Sequence, residues 1–264
     1  MTTNLKPQPL IGAFYQCYKQ PKAFLDVLGH FRAVYPDATI VAISDGGFDY
    51  AEAARHFNCD YHHGEHGVPG AGTIFNDKNA LIQWFTRLLE TAQRIKEDYI
   101  LLLEDDVQVL KPVSGLSFDL NGVNKREKLG RKLTDFLKTK NPSIPFGTVN
   151  YFYGGCGGTI IKKEFLLQRI RTIENIIRAI DDIGKYTVEP HSTRYASDYY
   201  LTAIILYYGG SIGNYKGFCE RWRTIYPFRR YILKNIEVVH QDKGLYDKAL
   251  TVDERKLFGP VNLE

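Results

Sequence analysis

No two cysteines in this chain are spaced to clamp a metal. There are four, Cys17, Cys59, Cys156 and Cys219, and none forms a CxxC pair, which argues against a structural zinc site. The longest uninterrupted apolar run is Ala203 to Tyr208, far short of the roughly 20 residues a membrane span needs. The opening residues, MTTNLKPQPL, lack the apolar stretch of a secretion signal. These absences predict a cytoplasmic protein with reduced thiols and no membrane anchor. Charge of one sign is not in large excess: 34 Lys plus Arg against 30 Asp plus Glu leave a net +4. That excess is too mild to make nucleic acid the main partner. No GxxxxGK[ST] occurs, so there is no P-loop. YGGCGG, ending at Gly158, does not fit GxGxxG. YHHGEHG, starting at Tyr61, is not HExxH, and Gly64 argues against one helical face; CDYHHGEHG reads as a short strand followed by a polar loop.

What is present is ordinary globular composition, 44% hydrophobic and 24% charged over 264 residues, which predicts one domain spanning residues 1–264. Leu10 to Cys17 is a short apolar run, and Phe24, Leu28 and Phe31 then recur at helical spacing. Ala38 to Gly47 reads as a second buried strand ending in Ser-Asp-Gly-Gly. A long amphipathic helix follows, with Ala80, Leu81, Trp84, Phe85, Leu88, Leu89, Ala92 and Ile95 on one face and Asn76 as its N-cap. Tyr99 to Leu103 is a third strand. Strands alternating with helices predict an α/β fold, a mostly parallel sheet covered by helices, with ligands at the carboxyl ends of the strands. The second half is less regular. It suggests a basic helix within residues 124–141, one amphipathic helix over 162–183, a buried helix from Ser197 and a strand ending near His240.

One feature of the third strand needs a cause. Glu104, Asp105 and Asp106 follow its apolar residues directly, and like charges grouped at one tip repel unless a cation compensates. Hard oxygen donors suit Mg²⁺ or Mn²⁺, which complete their shell with water and substrate phosphates. The stretch therefore predicts a metal–diphosphate site; its plain alternative is a solvated strand end.

The ordered series FYQCYKQP, SDGG, DKNAL, LLLEDDV, GGCGG, SDYYL and VVHQDKG resembles the GT-A family of nucleotide-sugar glycosyltransferases from Ile11 to about Tyr246. The resemblance implies a GT-A sheet flanked by helices with a smaller acceptor-side subregion, residues 1–110 forming the nucleotide-binding half and 111–264 the acceptor-binding half. It implies transfer of a hexose or pentose from a UDP-sugar to a glycan hydroxyl with Mn²⁺ or Mg²⁺ as cofactor. Phe14, Tyr15 and Gln16 would meet the nucleotide, with Tyr15 placed to stack on the base; Asp45 would bond base or ribose. Lys78 and Asn79 would face the phosphates. Glu104, Asp105 and Asp106 occupy the DxD position, with Glu in place of the first Asp, which leaves the role of Glu104 between ribose and metal. Asp106, His240 and Glu104 would be metal ligands, and Lys243 would touch the diphosphate. Gly157 and Gly158 would let the backbone approach the sugar. Asp198 would be the general base of an inverting displacement.

Each residue has a plainer reading: core aromatic, helix cap, loop lysine, tight bend. Retention of configuration on the same fold and a non-catalytic nucleotide- or carbohydrate-binding protein stay open. A glycoside hydrolase would also need two carboxylates, but neither a metal nor a nucleotide. A nucleotidyltransferase would carry a Gly-rich basic stretch after the first strand, which FYQCYKQP lacks.

Overall fold

The computed structural model describes residues 9–64, 78–123, 129–144, 157–187, 195–220, 235–240, 249–261 and 263. Strand β1 (Ile11–Cys17) is buried at all seven positions, so both its faces are covered. Its side chains divide between two core layers, Phe14 on one side and Ile11, Ala13, Tyr15 and Cys17 on the other. Helix α1 (Pro21–Val34) opens with proline in its first turn, where the missing N–H has no cost, and buries Phe24, Leu28 and Phe31. Strand β2 (Ile40–Asp45), helix α2 (Ala51–His56) and strand β3 (Asp60–Gly64) follow. Helix α3 (Lys78–Arg94) buries Leu81, Trp84, Phe85 and Leu88 from the apolar stripe read in the sequence. The expected cap, Asn76, lies outside the described residues.

Strand β4 (Tyr99–Leu103) pairs with β1 in parallel, and β1 pairs with β2. A turn leads into β5 (Val107–Val109), and β6 (Leu120–Gly122), α4 (Arg131–Lys140) and β7 (Ile160–Lys162) come next. The short helix α5 (Lys163–Phe165) and a π turn over Leu166–Ile170 precede α6 (Ile173–Gly184). Helix α7 (Ser197–Tyr207), strands β8 (Ile212–Asn214), β9 (Phe218–Cys219) and β10 (Val238–His240), and helix α8 (Val252–Lys256) complete the series. The main sheet has seven strands in the order β3-β2-β1-β4-β7-β6-β8. Only β7 runs against the rest, antiparallel to both β4 and β6. A second sheet, β5-β10-β9, carries three strands. The mostly parallel α/β sheet expected from the strand–helix alternation is present.

One expected element divides. Residues 162–183 read as a single amphipathic helix, but the chain breaks at Arg171, whose φ is +70°. Thr172 then caps a new helix by accepting from the Asn175 N–H, while the Asn175 amide donates to the Ile170 carbonyl at 2.7 Å. Apolar spacing continues on both sides of the break, so periodicity alone does not reveal it. Helix α7 is apolar on every side, and each residue from Ser197 to Leu206 is buried, as a core helix requires. Cys17, Cys59 and Cys219 are free thiols. Among the described residues no helix is long and apolar enough to cross a membrane.

Candidate active site

Parallel strands bring their carboxyl ends to one edge of the sheet. In register, Tyr15 of β1 lies beside Leu103 of β4, and Gln16 lies beside Ile43 of β2. The chain leaves β4 at Glu104 and closes a turn in which the Val107 N–H donates to the Glu104 carbonyl at 3.1 Å. It then enters β5, where Val107 pairs directly with His240 of β10. The three carboxylates thus occupy the corner between the two sheets, and antiparallel pairing delivers the imidazole from the far end of the chain to that corner.

Glu104, Asp106 and His240 each offer one ligand atom, all within 4.8 Å of one another. His240 Nε2 is 3.5 Å from Glu104 Oε2 and 3.5 Å from Asp106 Oδ1. Asp106 is 1% exposed and His240 4%. A buried carboxylate is costly unless compensated, and this donor set, two carboxylate oxygens and one imidazole nitrogen, fits a divalent cation such as Mn²⁺. Asp105 turns the other way and accepts from the Tyr15 hydroxyl at 2.7 Å.

Burial by itself would lower the pKa of His240. Hydrogen bonding and charge from Asp106 and Glu104 outweigh it and raise the pKa to about 9 from an ordinary 6.5. A group whose folded pKa is raised contributes stability that is full below its unfolded pKa and lost as pH climbs through the folded one. With chelator present, folding stability should therefore fall between about pH 6.5 and 9, by on the order of 3 kcal/mol from this residue. Thermal unfolding across that window checks it: the wild type should lose stability, and His240→Asn should give a flatter profile. A wild-type midpoint that rises with pH would contradict the arrangement.

The two glycines of the corner are held by protein side chains. A Cβ on Gly157 would lie 2.8 Å from His240 Nε2, and one on Gly158 would lie 2.0 Å from the Phe218 ring. Gly158 also has φ +83°, a conformation L-residues avoid. Its N–H donates to the Leu102 carbonyl at 2.8 Å, tying the bend to β4. Phe218 stacks beside His240, ring centroids 6.4 Å apart. Both glycines are thus needed to let the imidazole and the phenyl ring close on the corner.

Other expected residues fall as follows. Phe14 and Tyr15 are 2% and 0% exposed. The Tyr15 ring stacks on Phe24 with centroids 5.6 Å apart, leaving no open face for a base. The stacking role read from the sequence is therefore corrected: Tyr15 is a core ring whose hydroxyl orients Asp105. Burial, then the Asp105 charge, hold that phenol's pKa well above its ordinary value. Gln16 Nε2 donates to Asp45 Oδ2 at 3.3 Å. Asp45, 2% exposed, also accepts from an Arg87 guanidinium N–H. Lys78 pairs with Asp181 of α6, and Asn79 beside it is exposed. Asp198 is 6% exposed in the first turn of α7, its Oδ1 accepting from the Tyr199 N–H at 2.7 Å. Lys243 lies outside the described residues.

Sequence reasoning missed Arg87, Phe218 and Glu220. Arg87 follows Trp84 and Phe85 at the margin of the apolar stripe of α3, a position that commonly holds a solvated charge. Phe218 and Glu220 reach His240 only through pairing of β9 with β10, which no local pattern announces.

No protein-family model and no curated protein matches the chain. Solved structures match in fold. The galactosyltransferase LgtC, in complex with donor and acceptor sugar analogues, superposes with a TM-score of 0.51 at 16% identity, covering 93% of this chain and 99% of that one. The apo structure of the bifunctional glycosyltransferase WbbM gives a TM-score of 0.50 at 8% identity, covering 90% of this chain and 47% of that one. The fold is that of the GT-A glycosyltransferases.

Proposed function

We propose that the protein transfers a hexose or pentose from a UDP-sugar to a hydroxyl of a glycan acceptor. The observation that carries this reading is the corner of Glu104, Asp106 and His240 at the carboxyl edge of a GT-A sheet. The likeness to a galactosyltransferase solved with donor and acceptor sugar analogues supports it, and UDP is preferred because it is the commonest donor nucleotide among metal-dependent members of the family the sequence resembles. Glu104, Asp106 and His240 would hold Mn²⁺ or Mg²⁺. When bound, such an ion supplies charge stabilisation to the diphosphate as it leaves.

The chain's own residues do the rest. Gln16 and Asp45, joined at the tips of β1 and β2, face the base or ribose, with Arg87 holding the Asp45 carboxylate in place. Asp105, fixed by Tyr15, supports the nucleotide side of the turn. Lys78 and Asn79 at the start of α3, and Lys243 by its place in the sequence alone, would meet the phosphates. Asp198 takes the proton from the acceptor hydroxyl as its oxygen bonds to the anomeric carbon. The bond from that carbon to the diphosphate oxygen breaks, its electron pair leaves with the nucleotide, and the configuration inverts. The helix dipole at the first turn of α7 favours the ionised carboxylate this requires.

Asp198→Asn tests the assignment. The substitution keeps the volume and removes the base, so turnover should fall by about 10²–10⁴-fold with UDP affinity unchanged. Steady-state kinetics with a UDP-sugar screen and proton NMR of the product's anomeric centre read both halves. Retained configuration would overturn the base role of Asp198 while leaving the transferase reading in place; no transfer from any UDP- or GDP-sugar would count against the reading itself.

A further inference from the structure

We propose that Glu220 is a positioning residue that, when a divalent ion is bound, closes to accept a hydrogen bond from Nδ1–H of His240 and so fixes the ring with Nε2 toward Glu104 and Asp106. The inference rests on the metal-site reading above. Strands β9 and β10 run parallel, with Phe218 beside Val238 and Cys219 beside Val239. Glu220 follows directly after β9, and the next residue on β10 is His240. The register therefore sets the carboxylate alongside the imidazole.

The two ring nitrogens face different groups. Nε2 looks at Glu104 and Asp106, 3.5 Å from each. Nδ1 looks the other way, 3.9 Å from Glu220 Oε1, and is buried without a hydrogen-bond partner among the described residues. The Glu220 side chain is 11% exposed, so its carboxylate is enclosed with the ring. Phe218 flanks the ring and Gly157 lies against its Cδ2–Nε2 edge, which restricts how the imidazole can turn.

Chemistry then decides what Nδ1 must do. A neutral imidazole that ligates through Nε2 carries its proton on Nδ1. A buried N–H left without an acceptor costs about 1–3 kcal/mol. Glu220 is a strong acceptor on that side, and the 3.9 Å separation is about 1 Å beyond hydrogen-bond length. Ligating histidines commonly donate their second N–H to a carboxylate, which fixes tautomer and ring direction.

The test measures Mn²⁺ alone against the full chain, with free ion read by electron paramagnetic resonance. Glu220→Ala should weaken Mn²⁺ affinity by about 10–100-fold. Glu220→Gln, whose amide oxygen still accepts, should stay within about threefold of wild type. The second readout is the His240 Nδ1–H proton resonance in the Mg²⁺-loaded protein. It should exchange slowly in wild type and Glu220→Gln and be lost in Glu220→Ala. If Glu220→Ala does not fold, the resonance in wild type and Glu220→Gln decides, and its absence overturns the proposal. Equal Mn²⁺ affinity in all three proteins overturns it too, as does a loss in Glu220→Gln as large as in Glu220→Ala. Wild-type protein that binds no Mn²⁺, or binds it equally well after Asp106→Asn, sinks the metal site itself and is thereby distinguished from failure of Glu220 alone.

Discussion

Asp106→Asn should reduce glycosyl transfer by about a thousandfold, about 4 kcal/mol of transition-state stabilisation. Asparagine keeps the shape of a side chain that is 1% exposed and faces His240 Nε2 at 3.5 Å. What it loses is the charge. In the proposed metal site that charge would be a ligand to the ion, and Asp105, turned away toward Tyr15, does not replace it. Folding should change little in comparison. Removing one of three neighbouring carboxylates relieves repulsion and offsets the lost attraction to a protonated His240. The measurement is turnover at saturating Mn²⁺ beside thermal unfolding in chelator. A variant that keeps a tenth or more of wild-type turnover would show that Asp106 is not a metal ligand.

Arg87→Met should produce the largest loss of stability at the edge of the site, about 3 kcal/mol. The guanidinium pairs with Asp45, whose side chain is 1% exposed while that of Arg87 is 17% exposed. Removing the partner leaves a buried carboxylate whose remaining described donor is the Gln16 amide, which costs far more than the intact pair contributes. The exposure of the arginine puts the expected loss at the low end of what buried pairs show. For a chain of this length it corresponds to a fall in Tm of about 6–12 °C. Asp45→Asn in the same chain should recover much of the loss, since a neutral amide needs no counter-charge. Denaturant unfolding of the two single variants and the double variant checks this. A double variant no more stable than Arg87→Met would mean that the arginine acts through packing alone.

The strand tips were legible in the sequence because each joined an apolar run to an abrupt polar exit. Tyr99 to Leu103 followed by three acids predicts both a buried strand and charges at its end, and the structure places them there. Helix α3 was legible for the same reason, its buried residues repeating at helical spacing. Tyr15 misled. An aromatic at a strand tip looks like a stacking platform, but strand alternation points Tyr15 into the layer with Phe24 and Tyr50. Only the hydroxyl reaches the site. Gly157 and Gly158 were expected to let the backbone approach a sugar, and the structure gives a further reason for glycine at both positions. A Cβ on either would meet His240 or Phe218, residues that lie 60 or more positions further along the chain. Arg87, Phe218 and Glu220 were hidden because each acts through a partner brought in by the sheets, and one-dimensional patterns carry no trace of such pairing. The break at Arg171 was hidden for a local reason. Thr172 and Asn175 make the hydrogen bonds that start a new helix without disturbing the apolar period.

The corner at the end of β4 is proposed as a metal–nucleotide site. Calorimetric titration of UDP into the full chain tests it most directly, run with Mn²⁺, with chelator, and again on Asp106→Asn. UDP should bind with Mn²⁺, and that binding should be lost both with chelator and in the variant. UDP binding of equal strength under all three conditions, or no nucleotide binding at all with UDP and then GDP, would contradict it.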